Sequence, residues 1–159
     1  MVKAEFKITG IQQLKERLLE KKMQLEQQLD MRLLELCERA VTHAKENKGY
    51  KDHTANLKNT ISFALFKDGE LVRQHIGNNS EAKNGEAANP ADVNERLNEY
   101  CDSEGVVSQK GYSLVIVAPM EYAQYVEQKG YNVLHLTKYF LRDELKKELS
   151  EALKSIGIK

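Results

Sequence analysis

Val2, Ala4, Phe6 and Ile8 alternate with Lys3, Glu5, Lys7 and Thr9, a period-two pattern that predicts a half-buried N-terminal strand. Gly10 breaks it, and Thr9 or Gly10 is placed to cap a helix. From about Ile11 to Glu46 the period lengthens to that of a helix. Ile11, Leu14, Leu18, Leu25, Leu29, Leu36, Ala40 and Ala44 fall on one face, interrupted at Lys22. Leu19, Met23, Leu33, Leu34, Cys37 and Val41 widen that face, mostly in its C-terminal half. Such a helix reaches about 50 Å, more than a domain with a radius of gyration of about 15 Å covers. It therefore bends or breaks, with Gln24 to Gln28 as the weak point, or part of it packs on another subunit. A coiled coil is the rival reading, although no strict heptad is kept.

Asn47, Lys48 and Gly49 end the helix, and a polar stretch runs from Tyr50 to Ile61. Thr60 to Phe66 then reads as a strand with Ile61, Phe63 and Leu65 on one face. Asp68-Gly69 is a tight-turn pair, so a hairpin returns over about Leu71 to Ile76. Between Gly77 and Gly111 the composition turns to Asn, Ser, Gly and Glu, an acidic insert at about 78–110. Asn89-Pro90 starts a short helix there, with Val93, Leu97 and Tyr100 or Cys101 as its apolar face and mobile loops on either side. Tyr112 to Ala118 is the most strand-like run and predicts a central strand, ended by Pro119. Glu121 to Gly130 gives a short helix. Thr137 is placed to cap a last helix, faced by Leu141, Leu145, Leu149, Leu153 and Ile156. The order predicts an α+β fold: a small, mostly antiparallel sheet with a long N-terminal helix and a C-terminal helix packed against it.

At 159 residues the chain makes one domain, residues 1–159, with a real core. Charged residues make up 30% yet cancel to a formal net charge of zero. Without a basic excess, direct nucleic-acid binding is not expected as the main activity. No apolar run approaches the ~20 residues of a membrane span, and the N-terminus lacks the apolar core of a signal peptide. A protein made and kept in a cytoplasm is the expectation. Cys37 and Cys101 form no metal or redox motif and read as free thiols.

Little in the chain points to chemistry. His43, His53, His75 and His135 are scattered, with no second His or Cys at a metal-ligand spacing. No serine sits in a nucleophile elbow, and no glycine-rich loop between strand and helix offers a phosphate cradle. The carboxylates mostly alternate with lysines on helix surfaces, as solvated faces do. No enzyme, cofactor or metal is expected.

Two separated segments carry the remaining signal. In the first, Tyr50, Asp52, Thr54, Asn56, Leu57 and Ile61 stand in order; in the second, Tyr122, Ala123, Tyr125, Val126 and Glu127 do. Together they resemble the two signatures of the "gene product ten"-like tail-component, or tail-completion, family of long-tailed double-stranded DNA phages. His53 stands where that family usually has Arg, Ala55 replaces its Gly, Lys58 its Arg and Thr60 its Ser. Gly130 arrives one position late, and Phe140-Leu141 supplies the pair expected to open the C-terminal helix. The resemblance spans most of the chain outside the insert. Ala55 is its sharpest departure, because alanine resists the positive φ that glycine accepts.

The resemblance implies a structural virion-assembly protein, a minor tail component in tail completion or head–tail joining. Such proteins act as rings at the neck or tail end, in six copies at the family level, so self-association is expected, on a template if not in solution. The implied partners are the tail tube, tail terminator or head-closure proteins, met in the host bacterial cytoplasm during assembly and then in the virion. No membrane partner is implied. Tyr50, Lys51 and Glu127 are the candidate assembly interface; Asp52, Thr54, Asn56, Leu57, Tyr122 and Tyr125 are the candidate structural motif. Tyr122, Tyr125 and Val126 equally read as core residues of a short helix. Glu127 caps or pairs with backbone or with a lysine of the first segment, or faces a neighbouring subunit. The acidic insert either contacts a basic partner surface or faces a lumen and repels DNA. The rival is a small intracellular interaction module that dimerises through Leu25, Leu29 and Leu36 of the long helix.

Overall fold

The computed structural model describes residues 1, 4, 5, 7–51, 53–80 and 87–158. Helix α1 (Ile11–Glu46) is one unbroken rod of 36 residues, about 54 Å long. The glutamine-rich middle does not break it, because glutamine is a good helix former. The short helix α2 (Asn56–Asn59) leads into a hairpin of β1 (Ser62–Lys67) and β2 (Glu70–His75). Asp68 and Gly69 turn that hairpin with φ of 51° and 85°, as a primed two-residue turn requires. Then come α3 (Pro90–Cys101), β3 (Tyr112–Val117), α4 (Ala123–Gln128) and α5 (His135–Ser155).

The described strands form one antiparallel sheet in the order β2-β1-β3. The protein is therefore α+β, with the long first helix and the last helix packed on a small sheet. On one face Phe63 and Leu65 pack against Leu33, Leu36, Cys37 and Val41 of α1. On the other face Ala64 and Val115 pack against Leu97 and Cys101 of α3. The insert is thus a covering layer of the sheet. Its helix begins where expected, with the Asn89 Oδ1 accepting from Ala91 N at 3.1 Å and Pro90 in the first turn. Cys101 takes the buried position and Tyr100 stays outside.

The expectation for β3 is corrected. It lies at the sheet edge, and β1 is central. Helices cover both faces of the sheet, so an edge strand here carries the unbroken apolar run expected of a central one. The N-terminal strand is also corrected: the described residues 4, 5 and 7–9 form no strand, and Ile8 is exposed. Val2 and Phe6 lie outside the described residues.

Helix α5 runs antiparallel along α1, and an ion-pair ladder fixes their register. Arg32 meets Glu148 at 2.9 Å and Glu151 at 2.8 Å; Arg39 meets Glu148 at 2.8 Å and also pairs with Glu144. Lys147 and Arg39 hold the Glu144 carboxyl below the usual carboxylate range. Beyond the ladder, Lys21 Nζ donates to the Ile156 carbonyl at 2.5 Å. There α5 ends and α1 continues alone. Its first turns form an arm on which Leu14, Leu18 and Leu19 are 56–61% exposed. Among the described residues, no helix is long and apolar enough to cross a membrane.

Candidate functional site

The two polar segments meet in space. Tyr50 and Leu57 of the first pack with Ala123 and Val126 of the second, around buried Val133. The end of α1 is stitched to the loop before α5: Gly49 N donates to Asn132 O at 3.0 Å, and Asn132 Nδ2 donates to Asn47 O at 2.6 Å. Lys48 Nζ lies 5.3 Å from the Tyr50 ring centre. The junction is a small apolar knot between the helix ends.

Glu127 holds the knot from inside. Its carboxylate accepts from Val133 N at 2.9 Å, Leu134 N at 2.8 Å and His135 N at 3.2 Å. These are N–H groups at the start of α5, which have no partner within the helix. Negative charge at that end also suits the helix dipole. Of the alternatives for Glu127, backbone capping is the one realised, so its carboxylate is engaged within the subunit. This also corrects Thr137. With Glu127 capping, α5 starts at His135, and Thr137 lies inside the helix, buried, with its Oγ1 3.1 Å from His43 Nδ1. Glu127→Ala leaves three N–H groups without their acceptor and is expected to cost about 2 kcal/mol. Glu127→Gln, which keeps an acceptor oxygen, loses about half as much. Urea unfolding of the two variants measures both.

Thr54 and Asn56 act in folding. Asn56 Oδ1 accepts from Ala88 N at 3.0 Å and from Asn79 Nδ2 at 2.5 Å. Asn79 Nδ2 also donates to the Thr54 carbonyl at 2.9 Å, and Asn79 Oδ1 accepts from Asn59 Nδ2 at 2.9 Å. Asn79 is fully buried. Sequence reasoning misses it, because nothing in a polar loop signals which asparagine turns inward. Ala55 sits at φ 62°, so the turn keeps the left-handed conformation although glycine is absent. A non-glycine residue pays about 1–2 kcal/mol there, and part of that returns as lower unfolded-state entropy. Ala55→Gly is expected to stabilise by about 0.5–1 kcal/mol and raise the melting temperature by about 2 °C, read by calorimetry.

The remaining candidates divide differently from expectation. Lys51 is exposed and Asp52 lies outside the described residues. Tyr122 and Tyr125 are not core: they are 44% and 61% exposed on the outer face of α4, where Lys129 Nζ lies 5.3 Å from the Tyr125 ring centre. Tyr131 is exposed beside them in the chain. The short helix turns Ala123 inward instead, leaving its tyrosines as surface aromatics of the kind enriched at protein interfaces.

Little reactive chemistry gathers here. Among the described residues no three His, Cys, Asp or Glu side chains group as metal ligands. Burial pushes the Cys37 thiol up to about 12 and raises Cys101 as well, which keeps both in the poorly nucleophilic thiol form. Burial lowers the Lys45 and His75 pKa values; Lys58 adds to the effect on Lys45, and Lys45 to that on His75. An apolar groove of about 640 Å³ runs between β3 and α5. Leu114 and Ile116 form one wall, Leu141 and Leu145 the other, and Lys138 and Arg142 sit on its rim. Such surfaces recognise other surfaces by shape and charge. Compared with known proteins, the chain matches no family model, no curated protein and no solved structure.

Proposed function

We propose that this chain is a structural phage virion-assembly protein, a minor tail component that works in tail completion or head–tail joining and performs no catalysis. One observation carries the reading. The two segments that resemble the tail-component signatures lie some seventy residues apart in sequence, yet Tyr50 and Leu57 of one pack with Ala123 and Val126 of the other. Segments that build one knot are expected to be kept together, in order, along a family's chains.

In this reading the subunits close into a ring at the neck or tail end, six as the family-level expectation, and closure stops growth. The ring forms in the host cytoplasm and stays with the virion. Tyr122, Tyr125 and Tyr131 supply outward aromatic area for the tail tube, terminator or head-closure partner. Tyr50 and Glu127 act behind them, by holding α4 and α5 in place.

Co-sedimentation with purified tail tubes from the same gene cluster tests the reading. The wild-type chain is expected to pellet with tubes, and Tyr125→Ala to weaken pelleting about tenfold without loss of stability. A folded wild-type chain that ignores tubes at every concentration contradicts it. The rival, a helix-mediated dimer, now rests on different residues. Leu36 is fully buried and Leu29 packs against the core, so dimerisation would fall to the exposed arm at Ile11, Leu14 and Leu18.

A further inference from the structure

The arm of α1 has an uncovered apolar stripe and an uneven distribution of charge. Ile11, Leu14, Leu18, Leu19 and Met23 are each at least half exposed, together on the order of 500 Å², as large as the biggest apolar patch of an ordinary monomer. By helical spacing, Lys15 and Lys22 border the Ile11–Leu14–Leu18 stripe on one side, and Arg17 and Lys21 on the other. Glu16 and Glu20 lie on the back. The arm therefore offers an apolar edge between two basic ones.

Its charge chooses among possible covers. A two-fold pairing of arms brings these basic edges together, and like charges juxtaposed at an interface are costly. The apolar groove beside α5 has Lys138 and Arg142 on its rim and is disfavoured for the same reason. The outer face of α3 has the opposite charge. Asp92, Glu95, Glu99 and Asp102 follow one another at helical spacing and are all exposed. The one basic residue of α3, Arg96, is held by Glu121 and the Pro119 carbonyl. Asn94 of α3 meets Gln74 of β2 at 3.4 Å. Past the bulge in β2, Leu71 pairs with Phe66, which like Ala64, the partner of Gln74, belongs to the face under α3; Leu71 is 50% exposed. The side of α3 towards β2 presents Glu95 and Asp102 by helical spacing. Leu71 and this acidic helix face stand side by side along the free edge of the sheet, the floor and wall of an α3–β2 trough.

We propose that the arm of one copy docks in the α3–β2 trough of the next. Ile11, Leu14 and Leu18 cover Leu71, and the arm's lysines face Glu95, Glu99 and Asp102. Ile11, Leu14 and Leu18 supply roughly 300 Å² of the arm's apolar area, and the stems of the flanking lysines extend the contact towards the roughly 1,000 Å² total that a specific contact needs. The contact is head to tail, since neither surface complements itself, and head-to-tail contacts generate rings or filaments. The inference rests on the self-associating reading above and names its two surfaces. It also gives the acidic insert its partner.

Paired charge reversals in the full-length chain test it. One variant carries Lys15→Glu and Lys22→Glu; the other carries Glu95→Lys and Glu99→Lys. All four side chains are exposed, and circular dichroism checks that each variant stays folded. By sedimentation velocity at low salt, up to about 1 mM, wild type is expected to associate, more weakly as salt rises. Each variant alone then has arm and trough of one sign and is expected to associate at least about tenfold more weakly. An equimolar mixture of the two restores opposite signs at every contact and is expected to regain association. The proposal is overturned if wild type stays monomeric, if either variant associates as wild type does, or if the mixture fails while wild type associates. In the last two cases self-association through other surfaces survives, and so does the ring reading.

Discussion

Gly77→Ala is expected to leave little or no folded protein. Gly77 is buried just past β2, where its N–H donates to Ser62 Oγ at 2.9 Å. A Cβ built there would lie 2.5 Å from the Thr60 carbonyl carbon, 2.6 Å from Asn59 O and 2.7 Å from Ile61 O. All three are backbone atoms, so no side chain can swing aside. The chain must open between α2 and β1, where Thr60, Ile61 and Ser62 are fully buried. Overpacking of an ordinary core costs about 1–3 kcal/mol. With rigid backbone on the far side, the expected cost exceeds about 3 kcal/mol, a large share of the roughly 5–15 kcal/mol typical of a domain. Urea unfolding, or the soluble yield if the variant fails to fold, reads the effect. A midpoint close to wild type would mean that this strand junction yields easily.

Asn79→Ala is the second large effect. It removes both donors to Thr54 O and Asn56 Oδ1 and the acceptor for Asn59 Nδ2, in a site without exposure. Asn56 Oδ1 keeps its bond from Ala88 N, but the part-buried Thr54 carbonyl and Asn59 Nδ2 lose the Asn79 partner at about 1–3 kcal/mol each, so about 2–3 kcal/mol is expected. Asn79→Asp makes a sharper test. At neutral pH its carboxylate would face the Thr54 and Asn56 oxygens without a proton to donate, and stability should fall at least as far as in Asn79→Ala. Burial among acceptors favours the protonated acid in the folded state and so raises its pKa there. The folded state then binds more protons than the unfolded one, so the Asn79→Asp variant should gain relative stability as pH falls towards the ordinary aspartate value. Unfolding midpoints at about pH 7 and about pH 5 read this directly. A variant equally stable at both would contradict the buried network.

Periodicity and punctuation made much of this fold legible in the sequence. Helix α1 runs over the expected residues, Asp68-Gly69 turns the hairpin, and Asn89-Pro90 starts α3. These features are local, carried by neighbouring residues and their dihedral preferences. What stayed hidden depends on distant partners. The edge position of β3 goes with α3 covering the second face, which the run Tyr112 to Val117 does not itself encode. The start of α5 is set by Glu127, eight residues before His135 in the chain. Tyr122 and Tyr125 have a helical pattern that fits a core, but Ala123 occupies the inward position and they face out. Of the candidate site, the turn-forming character of Thr54 and Asn56 is local and legible, and the structure gives both residues hydrogen bonds within the loop while Leu57 is buried. The roles of Asn79 and Gly77 are not legible, because a buried asparagine and a crowded glycine look like any others in a polar loop.

The central claim is ring-forming self-association on a phage tail. Its most direct test is light scattering after size exclusion, over a concentration series, alone and with purified tail tubes from the same gene cluster. A ring-sized species, in solution or only together with tubes, is the predicted result. A fixed dimer that does not change with concentration and ignores the tubes would contradict the account and favour the helix-mediated interaction module.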